Sequence, residues 1–269
     1  MTPLRFHKYE GLGNDFVVVE RDDPLGSGEV VAICDRHFGI GADGVLIVAP
    51  PRSAGARASM VVENADGSRP EMCGNGLRCV ALHLARADGA SRASYVIDTD
   101  AGARSCVVDR DGDQASVLID LGRASVLGAQ AVEIDGVRWE FERVSMGNPH
   151  AIHQGSLPEE ATVDRVGAAV SAAVPGGSNV EFVAPCEGGE FELVVWERGV
   201  GRTLACGTGA GATAVALATS GRASFDAPIP LHLPGGPLEV VVTPSLEVRL
   251  VGPARRVFEG ALPGLPFPG

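Results

Sequence analysis

Two cysteines stand in the same setting. Cys73 begins Cys73-Gly74-Asn75-Gly76 and Cys206 begins Cys206-Gly207-Thr208-Gly209, and an apolar run follows each, over residues 77–87 and 210–220. Such a run predicts a helix, and a helix opens with about four unpartnered N–H groups and a partial positive charge near half a unit. A cysteine at that end can have its thiol lowered from about 8.5 into the range of about 3.5–7.5. The glycines let backbone N–H groups approach a carboxylate. One such site makes a reactive or anion-binding cysteine. Two of them, brought to one ligand, suit inversion at an α-carbon: one thiolate removes a proton from one face while the other thiol delivers one to the opposite face. Positive helix ends on the α-carboxylate would absorb the developing charge, and no lysine context points to pyridoxal, so no cofactor is expected.

The elements that must carry these cysteines form a repeat. Cys206 follows Cys73 by 133 residues, Gly147-Asn148 follows Gly13-Asn14 by 134, and Gly235-Gly236 follows Ala101-Gly102 by about the same distance. This spacing is close to half the chain and predicts two homologous halves, residues 1–122 and 123–269, joined near residues 122–129. About the last 15 residues are expected to pack back on the first half. Short β-branched runs over residues 14–20, 44–48, 95–98, 117–120, 191–196 and 238–242 predict strands. Leu77, Val80, Ala81 and Leu84 share one helical face, and the second helix is apolar over much of its girth, which places it inside a sheet's curve. The expected fold is α+β: two pseudo-symmetric halves, each a mainly antiparallel sheet rolled around a central helix.

Bulk properties exclude several classes. The 269 residues are 45% hydrophobic and 21% charged, enough for a packed core. A net charge of −12 argues against nucleic acid or an anionic membrane as partner. Neither an apolar leader near Met1 nor a spanning-length apolar segment is visible, so a cytoplasmic protein is expected. Cysteines at 34, 73, 79, 106, 186 and 206 are too sparse for a disulfide scaffold and lack zinc spacing. Three rival readings are weaker. Residues 207–212 fit a GxGxxA dinucleotide pattern with Asp226 downstream, but a charged, glycine-rich stretch separates them from the preceding strand. His150 and His153 suggest a metal pair without a third ligand, and Cys73 with Cys206 could form a redox couple.

The chain resembles the diaminopimelate epimerase family throughout its length. The resemblance rests on Lys8-Tyr9-Glu10-Gly11-Leu12-Gly13-Asn14-Asp15-Phe16, Gly39-Ile40-Gly41-Ala42-Asp43-Gly44, Asn64-Ala65-Asp66-Gly67-Ser68 and Glu71-Met72 before Cys73. The second half adds Met146-Gly147-Asn148-Pro149-His150, Asn179-Val180-Glu181-Phe182, Glu197-Arg198-Gly199-Val200-Gly201 and Ala205-Cys206. It implies interconversion of LL- and meso-2,6-diaminopimelate, on the route to lysine and peptidoglycan, with a related racemase of another amino acid as the alternative. It also implies the family's fold and a possible homodimer. By motif, Cys73 and Cys206 are implied as base and acid, Gly74, Asn75, Gly207 and Thr208 as donors to the α-carboxylate, Glu197 as the contact to the α-ammonium, and His150 as a neighbour of the catalytic cysteine. Asn14, Asn64, Asn148, Asn179 and Arg198 are implied as binders of the distal amino-acid end, a role that suits asparagine's paired donor and acceptor and arginine's fork. Departures fall at Glu10, Gly44, Arg69, Gly211 and Phe258, and leave both thiols in place.

Overall fold

The computed structural model describes residues 3–263, which form two compact units. One holds the described residues up to Ile119 and again from Gly252; the other is Asp120–Val251.

The first unit runs β1 (Leu4–Gly11), β2 (Asn14–Glu20), α1 (Ser27–Cys34), β3 (Gly44–Ala49), β4 (Ala58–Asn64), α2 (Gly74–Ala87), β5 (Arg92–Thr99), β6 (Gly102–Asp111) and β7 (Gln114–Arg123). Neighbouring strands pair antiparallel except β2–β3 and β4–β5, which are parallel. A parallel link needs a long crossover, and α1 and α2 lie within the two crossovers. α2 packs against β1 through β6, and all its residues from Gly74 to Ala85 are buried. Asp88 and Gly89, with φ +66°, end it. β2 and β3 are buried on both faces: Val17, Val19, Val45 and Ile47 join Val30 and Ile33 of α1, while Leu46 reaches the start of α2.

The second unit repeats this plan with β8 (Ser125–Ile134), β9 (Val137–Ser145), β10 (Pro149–Gln154), α3 (Glu160–Ala173), β11 (Asn179–Pro185), β12 (Phe191–Glu197), β13 (Gly201–Thr203), α4 (Gly207–Thr219), β14 (Pro228–Leu233), β15 (Gly236–Val242) and β16 (Glu247–Leu262). Again two pairs are parallel, β10–β11 and β12–β14, and the others antiparallel. α4 packs against β9, β10, β11 and β15. It is built of Ala, Gly, Thr, Val and Leu and buried on all sides, as its even hydrophobicity requires. Gly211 shows how close the packing is: a Cβ there would lie 3.1 Å from Leu121 and 3.3 Å from Val248.

Each unit is therefore a mainly antiparallel sheet around a central helix, and the two share one order of parallel and antiparallel pairs. The sequence reading of one helix per half is incomplete. α1 and α3 add a second, outer helix, and α3 buries Val163, Val166, Gly167 and Val170 on one helical face. Near residues 122–129, where the halves are expected to join, β7 ends at Arg123 and β8 begins at Ser125. The first-unit part of β16 pairs with β1 from Glu10↔Arg255 to Leu4↔Leu262, and residues 264–269 lie outside the described residues.

Candidate active site

The local geometry at the two cysteines is the same. Cys73 caps α2 with φ −135° and ψ 117°, and its Sγ accepts the N–H of Gly76 at 3.4 Å. Cys206 caps α4 with φ −124° and ψ 110°, and its Sγ accepts the N–H of Gly209 at 3.4 Å. An extended residue whose side chain takes the N–H three positions on is an N-cap, here with sulfur in place of oxygen. Gly76 and Gly209 must lack side chains: a Cβ would lie 2.8 Å from Leu46 Cδ2 at one and 2.7 Å from Glu181 Oε1 at the other.

In the first unit, the structure brings Asn14 and Asn75 together, with Asn75 Nδ2 donating to Asn14 Oδ1 at 3.1 Å. Asn14 Nδ2 donates to Asp43 Oδ2 at 2.8 Å, and Arg36 binds both Asp43 and Asp15. Burial pushes the Asp15 carboxyl up, but hydrogen bonds from Arg36 and Lys8 win and hold it at about 2. Asn64 ends β4, opposite Gly44 on β3, and donates to Ser68 Oγ at 3.0 Å. A Cβ on Gly44 would come within 2.6 Å of the Glu63 carbonyl, so any larger residue there needs the strands to shift.

The second unit gathers Asn148, His150, Glu197, Cys206 and Thr208. His150 and Glu181 are wholly buried, with His150 Nδ1 2.7 Å from Glu181 Oε1. A carboxylate oxygen only accepts, so Nδ1 carries the hydrogen of that bond. His150 Nε2 lies 3.1 Å from Asn148 Oδ1, and Asn148 Nδ2 donates to Thr208 Oγ1 at 3.4 Å. Burial raises the Glu197 carboxyl, against hydrogen bonds from Thr203 and Cys206; the Thr203 hydroxyl donates to Oε1 at 2.5 Å. Burial and the charges of Glu197 and Glu181 push the Cys206 thiol well up, against hydrogen bonds from Thr208 and Gly209. The helix start alone predicts a lowered thiol; at Cys206 burial and two carboxylates outweigh it, so this sulfur keeps its proton at neutral pH. Asn179 faces His150 across the β10–β11 pair, and its Oδ1 accepts the backbone N–H of Arg198 at 2.9 Å. Arg198 itself is exposed, with Nη1 donating to the Gly176 carbonyl at 2.6 Å.

Sequence reasoning assigned no role to Asp43, Arg78, Glu181 or Thr203. One signal was available: Asp43 and Glu181 lie inside two of the motifs above, 39–44 and 179–182. The rival readings lose ground on geometry. His150 and His153 are three apart on β10 and so point to opposite faces; His153 packs on Trp139 with ring centres 5.0 Å apart. Asp226 lies in a turn with φ +58°, before β14. No helix of the described residues is long and apolar enough to cross a membrane.

The family profile described as diaminopimelate epimerase matches residues 6–127 and 143–257. A diaminopimelate epimerase of Synechococcus sp. (strain JA-2-3B'a(2-13)) is 43% identical, covering 98% of this chain and 100% of its own. Diaminopimelate epimerase 1 of Nostoc sp. is 39% identical over 96% of this chain and 99% of its own. Among solved structures, a probable proline racemase from Agrobacterium radiobacter superposes with a TM-score of 0.79 at 14% identity, covering 98% of this chain and 94% of that one, a likeness of fold. The chain belongs to the diaminopimelate epimerase family.

Proposed function

We propose that this protein interconverts LL- and meso-2,6-diaminopimelate without a cofactor, by proton exchange at one α-carbon between Cys73 and Cys206. The observation that carries the reading is the twin cap: each cysteine opens a buried helix and takes the N–H three residues on at 3.4 Å. In one direction the Cys73 thiolate takes the α-hydrogen as a proton, and the C–H electron pair spreads onto the α-carboxylate. That charge is met by the backbone N–H groups of Gly74, Asn75, Gly207 and Thr208, aligned with their helix dipoles. The Cys206 thiol then protonates the other face, leaving Cys206 as thiolate and Cys73 as thiol; the reverse reaction exchanges the roles. Glu197 takes the α-ammonium and His150, bonded to Glu181, positions Asn148. Asn14, Asn64, Asn148, Asn179 and Arg198 hold the distal amino-acid group.

Lys8, the chain's single lysine, supports the cofactor-independent reading. It is buried, paired with Asp15 and donating to the Gly41 carbonyl, which leaves it no role as a Schiff-base amine. The same reading takes residues 1–122 and 123–269 as copies of one ancestral half, supported by their shared pairing order. It places the enzyme in the cytoplasm and includes a homodimer, with Phe258, half exposed and edge-on to Phe6, as a contact. The test is incubation of purified, reduced protein with LL-diaminopimelate. Wild type and Cys34→Ala or Cys186→Ala should form the meso isomer, while Cys73→Ala and Cys206→Ala should not. Equal or faster racemisation of lysine, ornithine or histidine by the wild type would reassign the substrate.

A further inference from the structure

Among the described residues Arg78 is the largest fully buried side chain, and no carboxylate there pairs with it. It sits one turn beyond the Cys73 cap, and its guanidinium turns back toward the helix start, as helical side chains do. Nη2 donates to Asn75 Oδ1 at 3.0 Å and Nε to the Pro253 carbonyl at 3.0 Å, while Nη1 meets no partner among the described residues. Gly11 makes room for it, since a Cβ there would stand 3.2 Å from Nη2. Burial pulls the guanidinium down, and the Glu10 carboxylate is among the groups that oppose that pull.

These contacts form one directed line. Arg78 donates to Asn75, Asn75 to Asn14, and Asn14 to Asp43, whose other oxygen takes Arg36 at 2.7 Å. A guanidinium can only donate and a carboxylate can only accept, whereas an asparagine amide can be turned either way. With those two ends fixed, one orientation of each amide satisfies every link; turning either one sets donor against donor and acceptor against acceptor. In the second unit the position matching Arg78 is Gly211, so the line there, Glu181–His150–Asn148–Thr208, has no arginine at its head.

We propose that Arg78 is a positioning residue which, with Asp43 at the far end, fixes the amide orientation of Asn75 and Asn14 and so decides which polar edge they offer the amino-acid substrate. The substrate half of this inference rests on the function proposed above. The orientation half does not, and the test separates them.

Labelling with 15N-asparagine gives only five side-chain amide pairs, one for each of Asn14, Asn64, Asn75, Asn148 and Asn179. Arg78→Met should shift the signals of both Asn75 and Asn14 and leave Asn148 and Asn179 in place. Asp43→Leu, which removes the acceptor at the other end of the line and adds no amide, should shift the same two even if Arg78→Met fails to fold. In turnover of LL-diaminopimelate, KM should rise about tenfold or more with kcat within about threefold, and Arg78→Lys should recover part of the loss. Asn14 signals unmoved in folded Arg78→Met, or unmoved Asn75 signals in Asp43→Leu, overturn the line. A fall in kcat at unchanged KM, tracking a lower Tm, overturns the substrate role. A wild type inactive on diaminopimelate defeats the proposed function, and the spectra still decide the orientation.

Discussion

Leu46 on β3 and Glu181 on β11 hold the same place in the two units: each lies under the first turn of its central helix, 2.8 and 2.7 Å from where a Cβ of Gly76 or Gly209 would be. The parallel pairs that carry them keep one register, Phe16 opposite Gly44 in one and His150 opposite Asn179 in the other. The apolar pair Phe16 and Leu46 is thus replaced by the polar pair His150 and Glu181, and the otherwise matched helix starts are electrically different.

That replacement sets a stability prediction. Glu181→Leu leaves the buried imidazole of His150 without its partner, and breaking a buried pair from one side costs about 3–5 kcal/mol. His150→Phe together with Glu181→Leu copies the first unit and should recover most of that loss while leaving the enzyme inactive. Urea titration of the singles and the double decides it; a single Glu181→Leu as stable as wild type would contradict the pairing.

Alkali should weaken the fold through Cys206. Its thiol is raised in the folded chain above the ordinary value of 9.0, so from about pH 9 upward the unfolded chain releases a proton that the folded chain keeps. Stability attributable to this group is complete below pH 9 and is lost as pH rises, by up to about 1.4 kcal/mol per pH unit. The slope of unfolding free energy between pH 8.5 and 10.5 should be shallower in Cys206→Ala than in wild type. Equal slopes would mean that the sulfur is not held protonated.

Reactivity should follow the same asymmetry. Cys73 is half-buried and Cys206 buried, with its thiol raised by burial and by Glu197 and Glu181. Iodoacetamide at pH 7.5 should modify Cys73 at least about tenfold faster than Cys206, read by peptide mass spectrometry. Faster labelling of Cys206 would reverse the assignment of resting base and acid.

Much of this was legible beforehand. The cysteine caps and both central helices follow from Cys-Gly-x-Gly before an apolar run, and β2 falls on Asn14–Glu20 as its β-branched run predicts. α1 was not legible because eight residues give too little periodicity, although α3 showed its stripe at Val163, Val166 and Val170. The raised thiol of Cys206 was hidden for a different reason: it depends on burial and on Glu197 and Glu181, which lie on separate strands and meet the cysteine only in the fold.

Arg198 is exposed and anchored by Gly176, with Asn179 bonded to its backbone. Arg198→Met should lower kcat/KM for diaminopimelate by about tenfold or more, the worth of a hydrogen bond to a charged group at about 1.5–3 kcal/mol. An unchanged kcat/KM would remove Arg198 from the distal site.

The two-thiol mechanism is tested most directly by the isotope content of substrate and product during the first few per cent of reaction in deuterium oxide. LL-diaminopimelate enters fully protonated, and the account predicts that the meso product carries one deuterium at its inverted carbon while recovered substrate carries none. The hydrogen removed by one sulfur and the deuteron delivered by the other are different atoms on different faces. Deuterium appearing in recovered LL substrate as fast as in product, or product retaining the original hydrogen, would show a single base at work and contradict the account.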